Sequence, residues 1–195
     1  VAAHLLGVLG IARNDDWSFV ENAFRFQETG IFTVGGWVQM NLIGQLVLAA
    51  PIITAFGQSI AALQILGIVF TGVAVAATYL LARSFLPRRL ALTIGATTAL
   101  SPVLLVISAS FMTDAFALAG QLSALVLATY AMTKSGPTRS WMWWAAIAIG
   151  LWAFSVREFS AIALAAIAMF ALVTSAIKQW QRILSVVVMV GGTTL

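Results

Sequence analysis

Residues 59–82 form a run of 24 residues without a single charge, and this run limits the fold more than any other feature of the sequence. A helix of about 20 apolar residues is long enough to cross the hydrocarbon core of a bilayer. Comparable apolar runs cover residues 90–107, 115–132, 141–156 and 159–177, and another begins at Ile183. The pattern predicts an all-α fold, namely a polytopic transmembrane helical bundle.

The composition agrees with a membrane protein and excludes several other classes. Hydrophobic residues make up 62% of the chain and charged residues only 8%, whereas about a quarter of a soluble domain is charged. The absence of cysteine excludes disulfides and thiolate metal sites, and a single histidine, His4, argues against histidine-based metal binding or catalysis. The net charge of +4 comes with no basic groove, so we expect no nucleic-acid partner.

Both ends of the sequence contain apolar stretches that are too short to span. Residues 1–12 would form a helix of only about 18 Å, and the chain lacks an initiator methionine. We expect residues 1–12 to end a first helix, residues 13–57 to form an extracytoplasmic loop with interfacial helices, and residues 58–195 to supply further transmembrane helices. On this interpretation residues 1–195 are one transmembrane domain from the interior of a longer protein.

The charged residues divide into two sets of connections. One set has seven cations and no acid: Arg83, Arg88, Arg89, Lys134, Arg139, Lys178 and Arg182. The opposite set holds all six acidic residues together with Arg13, Arg25 and Arg157. Because basic connections remain on the cytoplasmic side, the sequence predicts a multi-pass protein of the plasma (inner) membrane whose acidic face is extracytoplasmic.

The segment "NLIGQLVLAAPIITAF", residues 41–56, is the weak point of this topology. It is apolar but short, Pro51 interrupts it, and only "GQ" separates it from the run that follows. We predict that it lies in the membrane interface or re-enters, because a full crossing would move the acidic residues to the basic side.

The stretch "RNDDWSFVENAFRFQETG" carries the adjacent acids Asp15 and Asp16, and two interpretations remain open. One is helix capping, with "SFVE" at Ser18 to Glu21 as a capping box and an aspartate serving the first turn. The other is catalysis, in which one of the two carboxylates acts as a general base.

The residues that follow the pair predict a surface helix. Trp17, Val20 and Phe24 would form one apolar stripe of an amphipathic helix at the membrane surface.

Two further charged positions belong to the same predicted face. Asp114 in "SASFMTDAF" opens an apolar run, where an N-cap aspartate is ordinary. Arg157 and Glu158 in "FSVREFS" separate two apolar runs, and the simplest interpretation is a local ion pair that marks a turn. Charges near membrane depth cost about 2.5–3.5 kcal/mol each, so they tend to be paired or functional.

Three segments resemble the GT-C glycosyltransferases that use polyprenyl-phosphate sugars, a group that includes protein O-mannosyltransferases and the aminoarabinose and galacturonic acid transferases of lipid A. "DDWSFVENAFRFQETGIF" resembles their first-loop pattern of DE-x-x-Y…A-x-x-hydrophobic-x-x-G. "MTDAFALAGQLSALVLATYAM" and "GLWAFSVREFSAIALAAIAMFAL" resemble two later helices, so the resemblance covers nearly all 195 residues. One departure is "WVQMN" at residues 37–41, where many members carry His-Pro-Pro or Lys-Pro-Pro.

The resemblance implies a function and a set of site residues. The function is transfer of a sugar from a polyprenyl-phosphate-linked donor to a hydroxyl or similar acceptor on a lipid, protein or glycan, on the extracytoplasmic side. It makes Asp15 the catalytic base and Asp16 its acidic neighbour, and it places Asp114, Arg157 and Glu158 in the substrate-binding cavity, with Arg157 facing the lipid phosphate. The cofactor stays unknown, with a divalent cation left open.

Two other classes compete with this function. A multi-pass transporter or flippase would also carry charges at helix ends, but it should place ionisable groups near mid-membrane in broken helices. A structural or assembly subunit would show no convergence of charges. The discriminating observation is whether Asp15, Asp114 and Arg157 come together in the folded chain.

Overall fold

The computed structural model describes residues 7, 9–12, 15–32, 41–133, 136–173 and 179–193, with only the backbone described at 173 and 179–183. Of these residues 85% are helical and none is in a strand, which confirms the predicted all-α class. The helices, numbered along the described chain, are α1 Asp16–Thr29, α2 Ile43–Phe56, α3 Ile60–Arg83, α4 Arg88–Ala99, α5 Pro102–Ser108, α6 Thr113–Thr133, α7 Gly136–Val156, α8 Ala161–Val173 and α9 Gln179–Thr193. A short 3-10 turn, Glu158–Ser160, precedes α8.

Two of the described helices are long and apolar enough to cross a membrane, namely α3 and α6. The predicted span at residues 90–107 is instead two helices, α4 and α5, bent by 58° at a short break. Pro102 causes the break, because it is favoured at the first position of a helix and restricts the residue before it to extended backbone. The pair counts as a third span if it crosses as one unit.

The predicted interfacial segment at residues 41–56 forms α2, which contains Pro51. Its 14 residues measure about 21 Å, which is short of the ~30 Å hydrocarbon core. One face of α2 is buried through Gly44, Gln45, Leu46 and Ala49. The indole N–H of Trp152 in α7 donates to the Gly44 carbonyl at 3.1 Å, so α2 is tied to the bundle.

The first described helix, α1, differs from the predicted surface stripe. Its buried face includes Phe19, Val20 and Ala23, while Trp17 lies off that face and is 47% exposed. The stripe prediction is therefore wrong for Trp17, and the reason is that α1 packs inward on α2. Of residues 1–12, only residues 7 and 9–12 are described, and residues 9–11 form turns, so most of the predicted first helix, with His4, lies outside the described residues.

Small residues allow α6 and α7 to approach closely. A Cβ placed on Gly120 would lie 2.6 Å from the Cβ of Ala153, and one on Gly150 would lie 2.6 Å from Leu164 of α8. Close contact at small residues is the usual way in which membrane helices associate, because lipid offers no hydrophobic driving force between them. Many large apolar side chains of α3 and α8 face outward, including Ile65, Val69 and Ile162, as expected of lipid-facing surfaces.

Candidate active site

The carboxylate of Asp16 is fully buried at the first turn of α1. The backbone N–H of Phe111 donates to its Oδ1 at 2.6 Å, and the side-chain amide of Gln64 donates to its Oδ2 at 2.9 Å. A buried carboxylate needs such donors, because its desolvation is costly without them. Asp16 thereby joins α1 to α3 and to the connection between α5 and α6.

The neighbouring Asp15 has the opposite environment. It occupies the N-cap position of α1 but makes no side-chain cap hydrogen bond, and it is exposed. The capping box at Ser18 to Glu21 is also wrong, because the helix begins at Asp16 and Ser18 lies inside it. Glu21 instead pairs with Arg25, one turn later, at 2.8 Å. The carboxylate of Asp15 is thus directed to solvent rather than used for capping.

Asp114 and Arg157 form an ion pair between the first turn of α6 and the end of α7. Asp114 is the second residue of α6 and not its N-cap, because the helix begins at Thr113. The same guanidinium nitrogen, Nη1, also donates to the Thr113 hydroxyl at 3.3 Å. The Arg157 side chain is 23% exposed and the Asp114 side chain 30% exposed, so solvent reaches the pair. The guanidinium lies 4.8 Å from the ring centroid of Phe159.

Glu158 does not pair with Arg157, so the local ion pair considered from the sequence is wrong. Its Oε1 accepts a hydrogen bond from the backbone N–H of Asn41 at 2.9 Å. Arg157 has extended backbone while Glu158 begins the 3-10 turn, so the two side chains leave the chain in different directions. Glu158 therefore fixes the beginning of the segment that leads into α2.

The structure brings four of the five predicted site residues to one end of the bundle through direct contacts. Asp16 bonds to Phe111, which precedes Asp114 by three residues, and three residues span at most about 11 Å. Asp114 then contacts Arg157, and Glu158 follows in the chain. Asp15 is adjacent to Asp16, so all five share this end.

Two buried glutamines belong to this region and were not predicted as site residues. Gln64 and Gln45 are both fully buried, and Gln45 donates from Nε2 to the carbonyl of Phe111 at 2.8 Å. The available signal was an amide inside an otherwise apolar run, which is costly in a membrane helix unless it has partners.

The basic residues after α3 lie at the opposite end. Gln64 and Arg83 are 19 residues apart on α3, which is about 28 Å. A cavity of about 580 Å³ at that end is lined by Ser84 after α3, Thr133 at the end of α6 and Phe170 of α8. Lys134 and Lys178 lie outside the described residues, as does the side chain of Arg182.

The sequence was compared with family models, curated proteins and solved structures. Residues 45–194 match the family model described as "Dolichyl-phosphate-mannose-protein mannosyltransferase". The chain belongs to this family. No curated protein and no solved structure matches.

Membership of the mannosyltransferase family makes the chain a membrane glycosyltransferase of the GT-C type, which confirms the resemblance. The match includes Asp114, Arg157 and Glu158 and begins after Asp15 and Asp16. For the acidic pair, the roles predicted above therefore rest on the resemblance of the first loop and on the contacts described here.

An apolar cavity of about 360 Å³ lies between α2, α3, α6 and α7. Its lining includes Leu48, Phe70, Gly120 and Trp152. Gly120 is six residues, or about 9 Å, along α6 from Asp114, so the cavity lies close below the charged cluster. Among the described residues no three His, Cys, Asp or Glu side chains converge as a metal site, and we assign no step to a metal ion.

Proposed function

We propose that this glycosyltransferase moves a sugar from a polyprenyl-phosphate-linked donor to a hydroxyl or similar acceptor of a lipid, protein or glycan, on the extracytoplasmic side of the membrane. The observation that carries the proposal is the hydrogen bond from Phe111 to Asp16. That bond ties the acidic pair to the segment that opens α6, where a carboxylate and a guanidinium meet. A base and a cation for phosphate are therefore neighbours at one helix end.

In this proposal Asp15 is the general base. Its carboxylate takes the proton of the acceptor hydroxyl as that oxygen bonds to the anomeric carbon of the sugar. The bond from the anomeric carbon to the phosphate oxygen breaks, and polyprenyl phosphate leaves. Exposure suits Asp15 to this role, because a base must come within about 3 Å of the hydroxyl it deprotonates. Asp16 is the buried neighbour that fixes the position of the base.

Arg157 is the proposed ligand of the donor phosphate. A guanidinium has five N–H donors, and Nη1 alone serves Asp114 and Thr113, so others remain for phosphate oxygens. The planar fork of arginine binds phosphate with two parallel hydrogen bonds. Asp114 holds the guanidinium in place, and Glu158 fixes Asn41 at the border of the same site.

The apolar cavity below the cluster supports a lipid-linked donor. The side chains of Leu48, Phe70 and Trp152 line it, and it begins within two turns of α7 from Arg157. A phosphate held at Arg157 would leave the first isoprene units of its chain next to this cavity. A water-soluble nucleotide sugar has no group that would use it.

The membrane side and the domain organisation follow from the charges. We propose that the acidic end is extracytoplasmic in the plasma (inner) membrane, that residues 13–57 form the first outer loop, and that residues 58–195 continue the transmembrane domain. This orientation leaves the cations at Arg83, Arg88 and Arg89 on the cytoplasmic side, as the positive-inside rule requires.

A transfer assay with the complete protein in lipid nanodiscs tests the proposed donor. Radiolabelled mannose is supplied either on a polyprenyl phosphate or on a nucleotide, with peptide and glycolipid acceptors. We expect product only from the lipid-linked donor. Product from the nucleotide sugar alone, or equal product from both donors, would contradict the proposal.

A further inference from the structure

The side chain of Gln64 is fully buried in α3 and is engaged on both sides of its amide. Its Oε1 accepts a hydrogen bond from the Gly10 N–H at 2.8 Å. Its Nε2 donates to the Ile11 carbonyl at 2.9 Å and to the Asp16 carboxylate at 2.9 Å. Both N–H donors and one oxygen lone pair of the amide are therefore used.

These contacts lie on both sides of Asp15 along the chain. Gly10 and Ile11 precede Asp15, and Asp16 follows it, so one amide holds the two flanks of the exposed carboxylate. The amide itself belongs to a 24-residue helix that is long enough to cross the membrane. The flanks of Asp15 are thus attached to a rigid element, which is what a reacting group needs to stay within about 0.5 Å of its productive position.

We infer that Gln64 is the positioning residue for the base, in that it fixes the segment on either side of Asp15 against α3. The inference rests on the proposed function for the role of Asp15, but the attachment of the segment to α3 does not. Gln64 itself touches no substrate in this role.

Glutamine is required at this position because no other side chain of similar size makes the same contacts. Glutamate has the same length but cannot donate to the Ile11 carbonyl and to Asp16 at once, and its charge would repel the Asp16 carboxylate. Leucine fills the space without any hydrogen bond. Asparagine keeps the amide but is one methylene shorter, so it cannot reach all three partners in the same geometry.

The chain offers a matched control in Gln58. Its side-chain amide donates to the Glu28 carboxylate at 2.6 Å, so it also joins a carboxylate of α1 to the region where α3 begins. This bond is exposed and lies at the other end of α1, away from Asp15. Gln58→Leu therefore removes a glutamine–carboxylate bond without touching the flanks of the base.

The kinetic experiment compares Gln64→Leu and Gln58→Leu in the complete protein with a polyprenyl-phosphate-linked donor. We expect Gln64→Leu to lower kcat by about 10- to 100-fold, because a shift of about 1 Å in a reacting group has effects of this size. The KM for the donor should stay within about twofold. Gln58→Leu should keep both constants. If Gln64→Leu fails to fold, Gln64→Asn is measured instead, with a smaller fall in kcat expected.

A second experiment does not depend on sugar transfer. The sequence contains no cysteine, so a single one introduced at the exposed Trp17 can carry a nitroxide spin label next to the acidic pair. We expect its spectrum to show one ordered component, and Gln64→Leu should add a mobile component while Gln58→Leu should not. This measurement separates the two proposals, because it applies even if the donor assay shows that another substrate is used.

Three results would overturn the inference. The first is a folded Gln64→Leu or Gln64→Asn variant whose kcat is unchanged. The second is a rise in the donor KM as large as the fall in kcat, which would indicate a general distortion of the site. The third is a spin-label spectrum that Gln64→Leu leaves unaltered, which would show that the amide does not hold the segment.

Discussion

Asp15 and Asp16 are adjacent in sequence, yet their carboxylates occupy opposite environments. Asp15 is exposed and makes no cap hydrogen bond, so Asp15→Asn should leave the fold intact. The amide cannot accept the proton of the acceptor, and loss of a general base typically lowers the rate by 10²–10⁴-fold. We expect a fall of this size in kcat, measured by transfer from the lipid-linked donor, with an unchanged melting temperature.

Asp16→Ala provides the contrasting variant. It leaves the Phe111 N–H and the Gln64 amide without their acceptor, and each unsatisfied buried donor costs about 1–3 kcal/mol. Its melting temperature should therefore fall. Full transfer activity in a folded Asp15→Asn variant would remove the catalytic role from Asp15.

Arg157→Lys tests phosphate recognition. Lysine keeps the positive charge and can still pair with Asp114, but it has no planar fork for two parallel hydrogen bonds to phosphate. The KM for the donor should rise about tenfold, while the KM for the acceptor stays the same. Arg25→Lys is the matched control, because Arg25 forms an exposed ion pair with Glu21 within α1. Unchanged donor kinetics in Arg157→Lys would leave Arg157 with a purely structural role.

At the scale of helices, existence was easier to predict than continuity. The uncharged run at residues 59–82 became α3 within one residue at each end, because nothing in it competes with a helix. The run at residues 90–107 has the same apolar character but contains Pro102, and the helix restarts there with a 58° bend. Hydrophobicity reports burial in lipid, whereas the bend depends on backbone chemistry that an average over many residues hides.

The contact between α6 and α7 gives a prediction at this scale. A methyl group on Gly120 would lie 2.6 Å from the Ala153 Cβ, so Gly120→Ala should separate the two helices and destabilise the protein by about 1–3 kcal/mol. Gly72 in α3 has nothing within 4 Å of an added Cβ. Gly72→Ala should therefore be neutral or slightly stabilising, because alanine is the better helix former. Equal melting temperatures for the two variants would contradict the close packing of α6 and α7.

At the scale of the whole molecule, the sequence predicted which charges share an end but not how they are connected. The grouping of Asp16, Asp114 and Arg157 followed from counting apolar runs, since charges separated by an even number of crossings return to the same face. The partner choice of Arg157, Asp114 rather than its neighbour Glu158, depends on the meeting of α6 with the end of α7. Likewise, the glutamines that hold the acidic pair act through long-range contacts that no local pattern encodes.

The separation of the two ends gives the final prediction, which concerns orientation. Thr29 at the end of α1 and Thr138 at the start of α7 are both exposed, and the sequence has no cysteine to interfere with labelling. If the acidic end is extracytoplasmic, a cysteine at Thr29 should react with a membrane-impermeant maleimide in intact cells. A cysteine at Thr138 should react only after the membrane is opened, because it lies near Arg139 on the basic side. Labelling of Thr138→Cys from outside, with Thr29→Cys protected, would reverse the topology and place the candidate active site on the cytoplasmic face.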